Sequence, residues 1–224
     1  MTQNKRIGII VGIEQEAKLL RPLLARLDDD VRPLLRCADM DVDKASKLAE
    51  ELVLQGVSGL ISLGVAGGLD PVLKPGDLIL PHEISNVDGE AIPCDAPWLQ
   101  ALSAKTKPHA NGRLLSSPVP VTSVADKARL HKNYDANAVD MESFSIAKMA
   151  QSAALPFIAI RVIVDGADMA IPESALAGTP FAVMKKAVKQ PGDFPALLRL
   201  GSHMKKATKT LSCVARLGLP FFGL

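Results

Sequence analysis

Hydrophobic and polar positions follow two alternating periods along the chain. Apolar runs rich in β-branched residues occupy 6–11, 57–63 and 157–164, and they predict buried strands. Apolar residues at helical spacing predict helices over 14–24, 43–54, 98–105, 126–134 and 142–151, with two more from residue 180 onward, separated by 191–193. Weaker patterns predict short strands at 31–36, 78–81, 113–121 and 138–140, whereas 64–68 and 85–96 are expected to be loops.

The alternation of strands and helices predicts an α/β fold, with a mixed central sheet and helices on both faces. No internal repeat, low-complexity segment or linker interrupts the pattern. Residues 1–224 are therefore expected to form a single domain.

The composition excludes several classes of protein. The formal net charge is +2, too small to indicate nucleic-acid binding, and Lys205, Lys206 and Lys209 are interpreted as one solvated helix face. No apolar run reaches the roughly 18 residues that a membrane span needs. The N-terminus is also too short and too polar downstream to be a signal peptide.

The three cysteines, Cys37, Cys94 and Cys213, are scattered along the chain. No pair of cysteines, and no Cys/His pair, has the spacing of metal ligands, so we expect neither a metal nor another cofactor. Free thiols are typical of the reducing cytoplasm, which is the predicted location.

Carboxylates are expected at the ends of two strands. Glu142 follows the strand at 138–140, and Asp165 ends the apolar strand at 157–164. Open α/β sheets build their sites at the carboxyl ends of strands, so both side chains are candidates for chemistry. Glu14 and Glu16 open the first helix about 200° apart, so only one of them is expected to point inward.

Three motifs carry a resemblance to a known family. They are IGIIVGIEQE at 7–16, GVAGGL at 64–69 with KPGDL at 74–78, and VDME at 139–142 with RVIVD at 161–165. In this order they resemble the nucleoside phosphorylase and nucleosidase superfamily, especially its methylthioadenosine/adenosylhomocysteine nucleosidase branch. These enzymes cleave the N-glycosidic bond between a base and a ribose. The resemblance implies a nucleoside phosphorylase-like three-layer sandwich.

A subgroup of this superfamily is more similar still. The residues at 64–71 and 139–143, together with the long C-terminal segment, most resemble the hopanoid-associated phosphorylases. That bacterial subgroup acts on adenosylhopane, a triterpenoid lipid joined to adenosine. The resemblance thus implies a small-molecule nucleoside as partner, possible linkage of that nucleoside to a lipid, and a homo-oligomer.

The resemblance also implies roles for the residues that match the motifs. Asp165 would be the acid near N7 of the leaving purine, and Glu16 would activate water. Glu142 and Met141 would bind the ribose. Val121 would contact the base together with Asp165.

The remaining motif residues are given supporting roles. Gly64, Val65, Ala66 and Gly67 would form the loop that receives phosphate or the nucleophile, and Arg161 would anchor the region around Asp165. From the residues alone, structural alternatives stay open. Asp165 could cap a turn, Glu16 and Glu142 could favour a helix dipole, and Met141 could belong to the core.

Two departures from the family pattern bear on the nucleophile. Val65 stands where the family commonly has Ser or Thr, and its side chain cannot donate a hydrogen bond. Glu14 and Glu16 lie near the place where phosphorylases carry an Arg, and carboxylates repel phosphate. These residues favour hydrolysis. Phosphorolysis with inorganic phosphate as co-substrate stays open, with Arg36 an unplaced candidate for a phosphate contact.

The region expected around the ribose 5′ position also departs from the pattern. The segment 25–37 is shorter than its counterpart in nucleosidases, which predicts a more open 5′ side that suits a bulky substituent. The apolar segment 217–224 could meet a membrane or a lipid, or it could pack on the core or on a second subunit.

The sequence therefore predicts an enzyme that releases adenine from a 5′-substituted adenosine such as adenosylhopane. The alternative is a methylthioadenosine/adenosylhomocysteine nucleosidase or a general purine nucleoside phosphorylase, and a further one is a non-catalytic purine-binding relative. The joint presence of Glu16, Glu142 and Asp165 favours an enzyme. A nicotinamide-dependent dehydrogenase is disfavoured because no GxGxxG motif follows the first strand.

Overall fold

The computed structural model describes residues 6–176 and 191–218 of the chain. Its strands are β1 (Gly8–Val11), β2 (Leu34–Cys37), β3 (Leu60–Gly68), β4 (Leu78–Ile79), β5 (Glu83–Asn86), β6 (Ala91–Pro93), β7 (Arg113–Ser116), β8 (Ala136–Asp140) and β9 (Phe157–Asp165). Its helices are α1 (Glu14–Leu24), α2 (Val42–Leu54), α3 (Ala96–Thr106), α4 (Val124–Tyr134), α5 (Ser143–Ser152) and α6 (Phe194–Gly218). Short 3-10 helices occupy Glu173–Leu176 and Pro191–Asp193.

Strand β3 organises the sheet. On one edge, β9 runs parallel to it from Leu60 to Gly67. On the other edge, β1 pairs in parallel with residues 60–63, and β8 pairs antiparallel with Gly67 and Gly68. Within the described ranges, residues 64–66 therefore have no strand neighbour on this second edge. This gap in the ladder is where the cavity described below opens.

The rest of the sheet extends outward from β3. The order is β2-β1-β3-β8-β7-β5-β6, and β9 also pairs antiparallel with β4. The pairs β1–β2, β5–β7 and β7–β8 are parallel, whereas β5–β6 is antiparallel. The sheet is thus mixed, as predicted.

Helices cover the sheet in two groups. Helix α2 packs against α5, α1 and α3 pack against α6, and both α5 and α6 contact β9. Every residue of β9 is buried, which is typical of a strand covered on both faces and explains its continuous apolar run. The predicted α/β class, a mixed central sheet with helices on both faces, is confirmed.

Several predicted elements differ from the observed ones. The predicted loop at 64–68 is wrong, because these residues continue β3 and pair with β9 and β8. Residues 85–96, also expected to be a loop, contain most of the β5–β6 hairpin, which turns at Gly89 with a φ of +88°. Of the two helices predicted from residue 180 onward, the second is α6, and the first falls on 180–190, outside the described residues.

The start of α2 offers a test of the local structure. Asp41 precedes the helix, and its carboxylate accepts a hydrogen bond from the Lys44 N–H at 2.9 Å. Replacing Asp41 with Ala is expected to lower the free energy of unfolding by about 1 kcal/mol, since the N–H loses its partner. Urea unfolding measures the loss. The matched variant Asp43→Ala removes a first-turn charge but not the cap, and should cost only about 0.3 kcal/mol. Equal losses in the two variants would contradict the capping role.

Candidate active site

A cavity of about 270 Å³ opens beside the unpaired stretch of β3. Its walls come from the carboxyl ends of β1, β3, β8 and β9 and from the segments that follow β2 and β7. The lining residues are Gly12, Ile13, Glu16, Met40, Gly64, Val65, Ala66, Gly67, Val119, Pro120, Val121, Val139, Asp140, Met141, Glu142, Arg161, Val164, Asp165 and Ile171. The position matches the general rule that ligands of α/β sheets bind at the carboxyl ends of strands.

Glu16 lies against β3 and is almost fully buried. Its Oε2 accepts hydrogen bonds from the N–H groups of Gly12 at 2.9 Å and Ile13 at 3.1 Å. Its Oε1 accepts one from the Val65 N–H at 2.7 Å, a donor that is available because β1 has already ended. Burial raises the pKa of Glu16, whereas these N–H groups and the charge of Arg161 oppose the rise.

Close packing against Gly64 determines where the Glu16 carboxylate lies. A Cβ at Gly64 would sit 2.7 Å from Glu16 Oε1, so a larger residue would displace the carboxylate. Glu14 faces the other way: its side chain is 45% exposed and is bound to Arg21 by hydrogen bonds of 2.6 and 3.1 Å. Of the two acidic residues that open α1, the structure brings only Glu16 to the cavity.

Glu142 faces Glu16 across Gly12 and immediately precedes α5. A Cβ at Gly12 would lie 3.6 Å from both Glu142 carboxylate oxygens and 3.7 Å from Glu16 Oε2, so the two carboxylates are close neighbours. Burial raises the pKa of Glu142 to about 7; the charges of Asp140 and Glu16 add to the rise, and Arg161 opposes it. Met141 lies beside Glu142 in the cavity wall.

Asp165 ends β9 at the opposite side of the unpaired stretch. A Cβ at Gly67 would lie 3.2 Å from its Oδ2, whereas Gly64 touches Glu16. Three residues of strand span about 10 Å, so Asp165 and Glu16 flank a gap of that order. Burial raises the pKa of Asp165; the ammonium of Lys127 opposes the rise, and His203 does so more weakly.

A buried network supports the end of β8. Arg161 donates from Nε and Nη2 to Asp140 Oδ2 at 3.0 and 2.7 Å, and from Nη2 to the hydroxyls of Ser62 and Ser143. Asp140 Oδ1 also accepts a hydrogen bond from the Ser116 hydroxyl at 2.8 Å. The network joins β3, β7, β8, α5 and β9 directly behind the Met141–Glu142 pair. Its hydrogen bonds satisfy the buried charges that it contains.

All of the residues predicted to form a site line this cavity. They are Glu16, Gly64, Val65, Ala66, Gly67, Val121, Met141, Glu142 and Asp165. The predicted phosphate or nucleophile loop is strand β3, as described above, and it presents the Val65 N–H to Glu16 instead of a side-chain hydroxyl. Arg36 does not reach the cavity, because its guanidinium binds the Leu35 carbonyl and the Gln55 side chain.

The expectation for Arg161 named the region around Asp165 but no partner, and the structure supplies the partner. Arg161 binds Asp140, and the cation that holds Asp165 is Lys127 of α4. Sequence reasoning missed Lys127, although a signal was present. Lys127, Leu130 and Tyr134 follow helical spacing on the buried side of α4, where a Lys is out of place unless it is paired. Ile171, which enters the cavity wall after β9, was also missed, and no pattern in the sequence indicated it.

The charges around the cavity do not balance. Among the described residues, the buried carboxylates are Glu16, Asp140, Glu142 and Asp165, and the buried cations are Lys127 and Arg161. Each cation is already paired, with Asp165 and Asp140 respectively. Glu16 and Glu142 are left facing the cavity without a cationic partner. Such a cavity attracts positive charge and can exchange protons near neutral pH.

The sequence of the chain is related to those of known proteins. The chain matches the Phosphorylase superfamily over residues 30–196. It is 30% identical over 200 residues to a 5′-methylthioadenosine/S-adenosylhomocysteine nucleosidase from Baumannia cicadellinicola subsp. Homalodisca coagulata, with 72% of this chain and 86% of that protein covered.

Two solved structures are similar over almost their whole length. One is the 5′-methylthioadenosine/S-adenosylhomocysteine nucleosidase of Neisseria meningitidis in complex with methylthio-immucillin-A, with a TM-score of 0.76, 19% identity, and 96% and 98% of the two chains covered. The other is the futalosine hydrolase of Helicobacter pylori strain 26695, with a TM-score of 0.77, 17% identity, and 98% and 99% covered.

The fold and the sequence relationship together define the class of the protein as a nucleosidase or nucleoside phosphorylase. The chain belongs to the phosphorylase superfamily, and within it is similar to the methylthioadenosine/adenosylhomocysteine nucleosidases.

Residues 6–176 and 191–218 offer neither a metal site nor a membrane span. In these ranges, no group of three or more His, Cys, Asp or Glu side chains could hold a metal ion. No helix there is both long and apolar enough to cross a membrane. The three cysteines are free, and burial raises the pKa of Cys94 to about 12, so its thiol is unreactive.

The raised pKa of Glu142 predicts a dependence of stability on pH. The folded protein keeps a proton on Glu142 up to about pH 7, whereas the unfolded chain loses it near its ordinary pKa of about 4.3. The folded state therefore binds more protons in this window, and stability falls as pH rises through it. Because Gln carries no charge, the Glu142→Gln variant escapes that loss.

Urea unfolding across this pH window measures the effect. The stability of Glu142→Gln relative to wild type should increase by roughly 3 kcal/mol between about pH 4 and about pH 8. A difference between the two proteins that is constant with pH would mean that Glu142 titrates normally.

Proposed function

We propose that the protein hydrolyses the N-glycosidic bond of a purine nucleoside and releases adenine from a 5′-substituted adenosine. One observation carries the proposal: buried carboxylates outnumber buried cations around the cavity, and Glu16 and Glu142 face it unpaired. Cleavage of a glycosidic bond passes through a ribosyl cation of oxocarbenium character. Negative charge beside that cation, which Glu142 supplies as pH rises through about 7, stabilises the transition state more than the neutral substrate.

Asp165 is the proposed acid. As the C1′–N9 bond breaks, its electron pair moves into the purine, and a proton on Asp165 passes to N7. Burial supports this role because it raises the pKa of Asp165, so the carboxyl can carry a proton nearer to neutral pH. Val121 lies in the same cavity and is the proposed contact of the base.

Glu16 is the proposed base, and Glu142 the proposed ligand of the ribose hydroxyls. Water attacks C1′, and its proton passes to Glu16 as the new C–O bond forms. The three N–H groups on Glu16 support this role, because they favour the ionised form that accepts a proton. Glu142 is the nearest neighbour of Glu16 across Gly12, which suits a carboxylate that binds the sugar beside the attacked carbon.

Water is favoured over phosphate as the nucleophile. A phosphate dianion needs cations or several free N–H donors. In the described part of the chain, Arg161 is engaged with Asp140, and Lys127 with Asp165. The Val65 N–H is occupied by Glu16. A dianion entering here would meet Glu16 and Glu142 instead.

The 5′ substituent is proposed to be bulky and apolar, as in adenosylhopane. Met40 and Val119 line the cavity and are 42% and 63% exposed, so apolar side chains border its opening to solvent. An apolar substituent leaving the cavity there would cover them. Methylthioadenosine, which the relative from Baumannia is named for, carries a smaller apolar group and is the alternative substrate.

Release of adenine in phosphate-free buffer tests the proposal. Adenosine, methylthioadenosine and adenosine linked at 5′ to a long apolar chain are compared at equal concentration. We expect release without phosphate, with the highest kcat/KM for the long apolar substituent. Asp165→Asn should lower kcat/KM by roughly 10²- to 10⁴-fold, because Asn cannot supply the proton.

The exposed neighbour Asp168 provides the control, since Asp168→Asn should leave the rate unchanged. Release only in the presence of phosphate, with ribose 1-phosphate as product, would contradict hydrolysis. No release from any of the three nucleosides would contradict the proposed function itself.

A further inference from the structure

Lys127 is the most deeply buried charged side chain among the described residues. It is 0% exposed and lies on α4, behind the carboxylate of Asp165, which is itself 2% exposed. Lys127 does not line the cavity, so it cannot touch a ligand there. The role of this ammonium must be exerted through its neighbours.

The ammonium of Lys127 has three protons and three acceptors. It donates to Asp165 Oδ2, to the Gly166 carbonyl at 2.8 Å and to the Met169 carbonyl at 2.8 Å. The side chain therefore joins α4 to the end of β9 and to the loop that follows. That loop continues to Ile171 in the cavity wall, where the Ile171 N–H binds the Thr122 carbonyl.

The arrangement leaves the two oxygens of Asp165 unequal. Oδ2 is held by Lys127, whereas no described residue donates a hydrogen bond to Oδ1. Asp165 borders the cavity, so Oδ1 is the oxygen left to meet a ligand. A proton carried by Asp165 is directed to Oδ1, because Oδ2 already accepts from an ammonium.

Stability alone is a poor explanation for this pair. Burying two charges costs several kcal/mol in desolvation, and replacing a buried ion pair with apolar side chains is often neutral or stabilising. Lys127 instead lies directly behind the proposed acid, Asp165, which points to a role in the reaction.

We propose that Lys127 is a positioning residue for the acid Asp165. It holds Oδ2, directs the proton on Oδ1 towards N7 of the purine, and stabilises the carboxylate that remains after the proton has left. This inference rests on the proposed function. In the reaction the C1′–N9 electron pair moves into the purine, the proton moves from Oδ1 to N7, and the new carboxylate is left paired with the ammonium. Lys127 keeps its own protons throughout.

A substrate whose leaving group needs no acid separates this role from a purely structural one. We compare Lys127→Met with wild type on a purine nucleoside and on 4-nitrophenyl β-D-riboside, whose nitrophenolate leaves unprotonated. For the purine nucleoside, kcat should fall by roughly 10- to 100-fold with little change in KM, a part of what an intact general acid contributes. Cleavage of the nitrophenyl riboside should be nearly unaffected.

The pH profile gives a second readout. Asp165 acts while protonated, so kcat declines as pH rises through its pKa. Removing the ammonium removes the charge that opposes the effect of burial, so the declining limb should move to higher pH in Lys127→Met. His203 of α6 also acts on Asp165, and the limb should persist in His203→Gln. If the His203→Gln variant loses the declining limb, the limb does not report the Lys127–Asp165 pair, and the proposal is overturned.

The exposed Lys132 on the same helix provides a matched control, since Lys132→Met makes the same change in side chain without touching Asp165. Equal loss on both substrates, with an unmoved pH limb, would overturn the proposal and leave Lys127 a structural role. If Lys127→Met does not fold, Lys127→Gln replaces it with the same expectations, because Gln fills similar space without the charge.

Infrared spectroscopy tests the pair independently of activity. The band of the protonated Asp165 carboxyl, identified by its loss in Asp165→Asn, should persist to higher pH in Lys127→Met than in wild type. An unchanged titration would overturn the proposal. Failure of the proposed function would appear differently, as absence of base release in the wild-type protein, with the infrared shift still present.

Discussion

The site depends on carboxylates that are buried in excess of the cations that could neutralise them. In the described part of the chain, Glu16, Asp140, Glu142 and Asp165 are buried against only Lys127 and Arg161. Buried charge is tolerated where hydrogen bonds or an opposite charge compensate for the lost water. Asp140 and Asp165 have cations, Glu16 has three N–H groups, and Glu142 is left with a pKa raised to about 7. The fold thus concentrates negative charge where the proposed reaction develops positive charge.

This concentration follows from one irregularity in the sheet. Pairing of β3 with β1 stops at Leu63, and its antiparallel pairing with β8 starts only at Gly67, so within the described part of the chain residues 64–66 lack a strand neighbour on that edge. At this free edge the Val65 N–H donates a hydrogen bond to Glu16, and Gly64 leaves space for the carboxylate. At the far end of the gap, β9 delivers Asp165, and α4 inserts Lys127 behind it. Backbone pairing therefore sets the distance between the proposed base and the proposed acid.

The sequence was informative where local pattern determines structure. The helix predicted at 14–24 has the observed bounds of α1, and the apolar run at 157–164 falls one residue short of β9. Prediction failed where contacts with distant parts of the chain determine the local structure. The glycine-rich stretch at 64–68 has weak strand propensity and is extended only because β8 and β9 pair with it. Likewise, Lys127 and Asp165 are 38 residues apart, and no spacing rule connects a helix side chain with a strand end at that distance. Motif resemblance supplied most residues of the cavity wall, Arg161 among them, but not Lys127 behind Asp165.

The proposed reaction requires the cavity to stabilise a ribosyl cation. The most direct measurement is calorimetric binding of two adenosine analogues that differ only at the sugar ring, one with a protonated ring amine and one with the neutral ring oxygen. We expect the cationic analogue to bind at least about 100-fold more tightly, as is typical of a transition-state mimic. Glu142→Gln should reduce that preference. Equal affinity for the two analogues would contradict the claim, because the unpaired carboxylates would then contribute nothing to recognition of positive charge.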